Sequence, residues 1–362
     1  MSNKKDGIGS LESFADSQAE AQFAENQEIA RTLRVIRTQC RDQQQELDDI
    51  RNRLGLYERI EGSRITPPKW LTPKRKKSDI HLAIPSMLLT DIHWGERIAA
   101  EQVGGINKYD VEIAHARVRR AFDRAVFVAR QSWAGIEYEG FNLLLGGDIL
   151  SGVIHEELRE TNEETVFASI LGAVEALTAG VRLLANEFPS VHVASVVGNH
   201  GRLTRKPRAK NKATESLDWM AYQLLARELE STPNVTTQVA EAADLKFSVY
   251  NSRICLTHGD QFRGGSGIAG ALSPLLLGVH RKLKRDAAAG QPFDVLVMGH
   301  WHHSYWMQDL IVGGSIKGYD EYAYDRNLGY QEPLATLWLN TPEHGITTYS
   351  PLFVQDRERE GW

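Results

Sequence analysis

From residue 82 onward the chain alternates short, almost continuous apolar runs with longer stretches whose apolar residues recur every three to four positions. That alternation restricts it to a mixed α/β fold. "SMLLTDIHWG", "FNLLLGGD", "VHVASVVGNH" and "FDVLVMGH" read as buried strands running into loops. Between them "DVEIAHARVRRAFDRAVFVARQSW", "NEETVFASILGAVEALTAGVRLLANEF" and "ESLDWMAYQLLARELE" carry helical spacing. "LKFSVYNSRICLTHGD" reads as a hairpin turning at Asn251–Ser252, a helix is expected to begin near Ile268, and "YWMQDLIVGGS" and "LATLWLN" supply further strands. Central sheets covered by helices are the expected architecture.

The polar residues fall where the strands end. Five apolar runs terminate in Asp91-Ile92-His93, Gly147-Asp148, Gly198-Asn199-His200, His258-Gly259-Asp260 and Gly299-His300-Trp301-His302. In open α/β sheets ligands bind beyond the carboxyl ends of the strands, so these clusters can meet in one crevice. Neutral imidazole is the commonest metal ligand, and carboxylates complete a site for more than one cation.

The order Asp-x-His, Gly-Asp, Gly-Asn-His, His and Gly-His-x-His resembles the calcineurin-like metallophosphoesterase superfamily over about residues 85–315. The resemblance implies a sandwich of two mixed sheets flanked by helices, with two divalent metals at the sheet edges. It implies that Asp91, His93 and His302 hold one metal, that Asn199, His258 and His300 hold the other, and that Asp148 bridges both. His200 matches the histidine that contacts the scissile phosphate and assists the leaving oxygen. It is followed by Gly201, where the family usually carries an acidic residue that would hold the imidazole. The implied reaction is phosphoester hydrolysis by metal-activated hydroxide. Mixed nitrogen and oxygen ligands suit Mn first, with Fe, Zn or Mg as alternatives. His155 could reach substrate from the loop after Asp148, and His303 lies just outside the Gly-His-x-His pattern.

The segment "GNHGRLTRKPRAKNK" bears on the substrate. Arg202, Arg205, Lys206, Arg208, Lys210 and Lys212 follow His200 directly, with Pro207 among them keeping the segment a loop. Cations beside a phosphate-cleaving centre attract a polyanion, although the whole chain has a formal net charge of −5. "HRKLKR", residues 280–285, could extend that positive surface. "TDIHWGE" also looks like the opening motif of the superfamily's DNA-repair nuclease branch. A nuclease or phosphodiesterase acting on nucleic acid, DNA in the first place, is therefore the expectation. A phosphomonoesterase for phosphoprotein or small esters is the alternative, and a non-catalytic coiled-coil scaffold is a second one. In "VGGSIKGYDEYAYDRNLGY", Tyr319, Tyr322 and Tyr324 could stack bases or pack on the domain.

The N-terminal part follows another pattern. Ile29, Leu33, Ile36, Cys40, Gln43, Leu47, Ile50, Leu54 and Tyr57 alternate in steps of four and three, the a/d repeat of a coiled coil. Residues 1–61 are read as a helix or coiled coil that makes a homo-oligomer through residues 29–57. Residues 62–81, with three prolines and the cluster Lys74, Arg75, Lys76 and Lys77, are read as a basic linker. The catalytic domain is expected over 82–350 and a polar tail over 351–362. Two cysteines, Cys40 and Cys255, imply no disulfide framework, and no apolar run of secretory or membrane-spanning type is visible. A cytoplasmic protein without membrane partners is expected.

Overall fold

The computed structural model describes residues 26–28, 30–48, 68–71, 82–154, 156–262 and 272–362. The chain divides into two units, Met1–Thr66 and Pro67–Trp362. In the first, residues 26–28 and 30–48 are helical and are called α1, and their described side chains, Leu33, Ile36 and Leu47 among them, are exposed. The coiled-coil positions Ile29, Ile50, Leu54 and Tyr57 lie outside the described residues, as do Lys74, Arg75, Lys76 and Lys77.

The second unit is built on two sheets. The first contains β1 (Leu82–Leu89), β2 (Glu137–Tyr138), β3 (Phe141–Leu145), β4 (Val191–Ser195) and β5 (Val235–Val239), together with β11 (Leu334–Thr341) and β12 (Gly345–Phe353). Its order is β12-β11-β1-β3-β4-β5, with β2 paired to β1. β1, β3, β4 and β5 are mutually parallel, and β11 and β12 close one side antiparallel. The second contains β6 (Asp244–Val249), β7 (Ser252–Thr257), β8 (Val295–Met298), β9 (Tyr305–Trp306) and β10 (Leu310–Val312), in the order β6-β7-β8-β10-β9. Here β7, β8 and β10 are the parallel strands.

Helices α2 (Val111–Phe127), α3 (Glu156–Thr161), α4 (Val166–Glu187), α5 (Leu217–Leu229), α6 (Leu272–Ala288) and α7 (Glu321–Asp325) complete the unit. α2 starts where Asp110 accepts a hydrogen bond from the Ile113 N–H at 2.8 Å, which satisfies one of the free donors of its first turn. α4 is long and apolar enough to cross a membrane by length and composition. Its Ile170, Ala173, Val174, Leu177, Val181 and Leu184 are nevertheless buried in the core shared with α2, α5 and the first sheet. A second core lies between the sheets, around Ile84, Leu88, Leu144, Val196, Ile254 and Trp338, and a third lies under α6. The layers are thus helices, sheet, sheet and helix, the expected sandwich of two mixed sheets.

Three expectations shift. The hairpin turns one residue earlier than expected: Val249 pairs with Ser252, and Tyr250 takes the left-handed conformation with φ 51°. The spacer read over 62–81 is partly domain, because Lys69–Leu71 forms a 3-10 turn, Leu71 is buried in the inter-sheet core, and its carbonyl accepts the Tyr250 N–H. Residues 351–362 are not a free tail. β12 runs to Phe353, and the side chain of Glu360 is buried against Arg117 at 3.0 Å.

Candidate metal centre

Parallel strands of one sheet end on the same edge, and this brings distant residues together. Asp91 and His93 follow β1, Asp148 follows β3, and Asn199 and His200 follow β4. His258 follows β7, and His300 and His302 follow β8 in the second sheet. The loops after β1 and β3 remain zipped beyond the strands, since the Asp91 and His93 N–H groups donate to the carbonyls of Gly147 and Asp148. Asp91, His93, Asp148, His300 and His302 all have φ between 49° and 69°, a conformation that side-chain-bearing residues seldom adopt. Five strained positions in one site mark a geometry imposed by the surrounding fold.

The Gly-Asp and Gly-Asn-His motifs gain a steric reason. A Cβ on Gly147 would lie 2.5 Å from the Gly198 nitrogen, and one on Gly198 would lie 2.0 Å from Asp148 Oδ1. The two loops therefore touch only because neither position has a side chain.

Asp148 links two clusters, grouping with His93 of one and with His258 and His300 of the other. His93 Nε2 lies 3.3 Å from His302 Nε2, which lies 3.5 Å from Asp91 Oδ1. On the other side His258 Nε2 lies 2.9 Å from Asp148 Oδ2 and 3.2 Å from Asn199 Oδ1, with the His300 ring 5.0 Å from that of His258. Asp148 groups with His93 and His200 as well as with His258 and His300. Asp91 Oδ2 accepts from Thr90 Oγ1 and from the His300 N–H, whereas Oδ1 is buried without a hydrogen-bond partner. A buried carboxylate oxygen with no donor, facing imidazole nitrogens, fits a cation. His258 donates through Nδ1 to the Gly146 carbonyl at 2.8 Å, which turns Nε2 toward Asp148 and Asn199.

The charges are strongly coupled. Burial opposes ionisation of Asp148, but the histidines around it, His258 foremost, hold its carboxyl well below the usual range. Burial likewise opposes a charge on His258, and the Asp148 carboxylate more than offsets it, raising the imidazole to about 10. Burial brings His300 down to about 4. Together these residues can hold cations in place of protons. The arrangement resembles the two-metal layout that the order of motifs implied.

No family model matches the chain, and no curated protein matches it. Among solved structures, a dimetal phosphatase from Danio rerio is similar at 12% identity with TM-score 0.33, covering 75% of this chain and 99% of that one. A predicted phosphoesterase from Streptococcus pneumoniae is similar at 11% identity with TM-score 0.28, covering 74% and 97%. Vacuolar Protein Sorting 29 from Cryptosporidium parvum is similar at 12% identity with TM-score 0.29, covering 75% and 99%.

Around the centre the outcomes differ. His200 Nδ1 is 3.0 Å from the Ser151 carbonyl, and its backbone N–H donates to Asp148 Oδ1 at 2.7 Å. A backbone oxygen thus holds the imidazole that an acid at position 201 would have held. Gly201 leaves no room for one, since a Cβ there would lie 2.7 Å from Ser216 Oγ and 2.9 Å from the Asp218 nitrogen. Of the expected substrate-binding cations, Arg205, Lys206 and Arg208 are exposed, as is Lys210. Arg202 instead folds its own loop through the carbonyls of Asn199 and Thr204, and Lys212 is paired with Asp260 at 2.6 Å. His155 lies outside the described residues. His303 does not join the clusters; it stacks on Tyr305 with rings 6.2 Å apart. Trp301 packs on the core under α6.

Sequence reading missed Asp218. Its Oδ2 accepts the N–H groups of Asp148 and Gly198, tying the loops after β3 and β4 together. Burial, with the Asp148 charge adding to it, pushes its carboxyl up to about 7. No local signal distinguishes Asp218 from an ordinary carboxylate in the first turn of a helix.

Proposed function

We propose that this chain is a two-metal-dependent phosphodiesterase that hydrolyses nucleic acid, DNA in the first place. The observation that carries the two-metal reading is Asp148, one buried carboxylate common to two clusters of nitrogen and oxygen donors. Asp91, His93 and His302 would hold one ion and Asn199, His258 and His300 the other, with Asp148 shared between them. Divalent ions bound there would neutralise phosphate oxygens and lower the pKa of water far enough to supply hydroxide near neutral pH. The donor set suits Mn, with Fe, Zn and Mg as alternatives. His200, held through Nδ1, is the group offered to the leaving oxygen. The diester and polyanion part of the proposal is supported by Arg205, Lys206, Arg208 and Lys210, exposed on the loop that leaves His200.

The test is cleavage of end-labelled single- and double-stranded DNA by metal-stripped protein resupplied with manganese, beside bis- and mono-nitrophenyl phosphate, with Asp148→Asn as control. Cutting of DNA and the diester by the wild type alone supports the proposal. Hydrolysis of the monoester alone would replace it by a phosphatase, and no hydrolysis with any metal would leave the scaffold reading.

A further inference from the structure

Behind His93 lies a buried row of charges that the proposed reaction does not itself consume. Glu96 sits three residues after His93, and its backbone N–H donates to the His93 carbonyl at 3.1 Å. Its Oε2 faces His93 Nδ1 at 3.4 Å, and both atoms are buried with no hydrogen-bond partner. Its Oε1 accepts from Lys317 Nζ at 2.8 Å, and the same ammonium donates to Asp320 Oδ2 at 2.6 Å. The Lys317 side chain is 3% exposed.

The backbone around this lysine is equally fixed. The Lys317 N–H donates to the Asp91 carbonyl at 3.3 Å, and the Lys317 carbonyl accepts from Arg117 at 2.7 Å and from Asn107 at 3.0 Å. Asp320 also caps α7, accepting the Ala323 N–H through Oδ1.

Burying a lysine is costly, and a purely stabilising site would be served as well by apolar side chains. What an apolar replacement could not do is present an oxygen to His93 Nδ1. A histidine that ligates a metal through one nitrogen commonly donates its other N–H to a carboxylate, which fixes the ring and the tautomer. We propose that Glu96, clamped by Lys317 and Asp320, is the positioning residue for His93. It makes Nδ1 the proton-bearing nitrogen and leaves Nε2, already facing His302, as the donor to the cluster formed with Asp91. Lys317 holds the second carboxylate oxygen, so Glu96 cannot swing round to become a ligand itself. The inference rests on the two-metal reading.

The consequence is site-selective, because only the Asp91, His93 and His302 cluster depends on Glu96. Full-length wild type, Glu96→Gln and Glu96→Ala are titrated with manganese by calorimetry, and metal-free thermal melts are recorded alongside. The wild type is expected to show two binding events. Glu96→Ala should weaken one of them by about 10- to 100-fold and leave the other unchanged. Glu96→Gln keeps the side-chain shape but offers one acceptor to two donors, so it should weaken the same event by less; it also serves if the alanine variant does not fold. Two events of wild-type affinity in Glu96→Gln and Glu96→Ala would overturn the inference, as would equal weakening of both events in step with a lowered metal-free Tm. A wild type that binds no manganese would instead defeat the two-metal reading and this inference with it.

Discussion

At the scale of single residues, the centre is a place where backbone preference is overridden. Asp91, His93, Asp148, His300 and His302 each hold a left-handed conformation, costing about 1 kcal/mol or more apiece. The strain is tolerated because the loops are pinned from behind, by the β1 to β3 zipper and by Asp218. His302 is the simplest position to test, being partly exposed. His302→Gly is expected to be more stable than His302→Ala by about 1 kcal/mol in urea unfolding with chelator, although both lose the same imidazole. Equal stabilities would show that the backbone at 302 relaxes once the imidazole is gone.

At the scale of elements, the inter-sheet core carries a hydrogen-bonded polar row. Asn340 on β11 and Asn142 on β3 both donate to Ser86 Oγ on β1; His192 on β4 lies 2.8 Å from Asn142 Oδ1 and 3.1 Å from Gln238 Oε1 on β5. Such a row fixes strand register, since a slip by one residue would turn each member to the other face. Burial lowers the His192 imidazole to about 4. The unfolded chain therefore binds this proton below about pH 6.5 and the folded chain only near pH 4. The His192 contribution should be complete above pH 6.5 and fall by about 3 kcal/mol as the pH drops to 4, at about 1.4 kcal/mol per pH unit. His192→Gln should flatten that part of the urea-derived stability curve, and an unchanged slope would assign the acid loss elsewhere. On the loop after β4, Arg205, Lys206 and Arg208 are exposed cations beside Lys210. Replacing all three with glutamine should weaken DNA binding and reduce the slope of log affinity against log salt by about 2 to 3, read by fluorescence anisotropy over a salt series. An unchanged slope would place the polyanion on another face.

At the scale of the whole molecule, the C-terminal residues are fastened to the body by charge. Glu360 receives Arg117 and Arg120, and Arg117 in turn holds Asn107 and the carbonyl of Lys317, whose side chain reaches Glu96. Glu360→Ala leaves a buried guanidinium unpaired and should cost about 3 to 5 kcal/mol in denaturant unfolding. A cost below about 1 kcal/mol would show that water replaces the carboxylate. The first unit makes a separate prediction. α1 exposes Leu33, Ile36 and Leu47 at heptad spacing, and a helix draws most of its stability from packing such an apolar face. A second copy of the chain is the proposed partner. Deleting residues 1–62 should convert an oligomer to a monomer by light scattering; a full-length protein that is already monomeric would refute it.

What the sequence determined by itself was the α/β alternation, the strands and the polar clusters at their ends, because period and turn chemistry are local properties. The order of those clusters was sufficient to name Asp91, His93, Asp148, Asn199, His200, His258, His300 and His302 before their positions were known. The tertiary structure decided what depends on contacts across the chain. Gly201 excludes an acid because α5 begins against it, so a carbonyl from residue 151 holds His200 instead. Arg202 and Lys212 are spent on internal partners, which no count of charges along a loop can reveal. Asp218, Glu96 and Lys317 acquire their places only when strands far apart in sequence end on one edge, since burial and distance, not residue type, give a carboxylate or an ammonium its role.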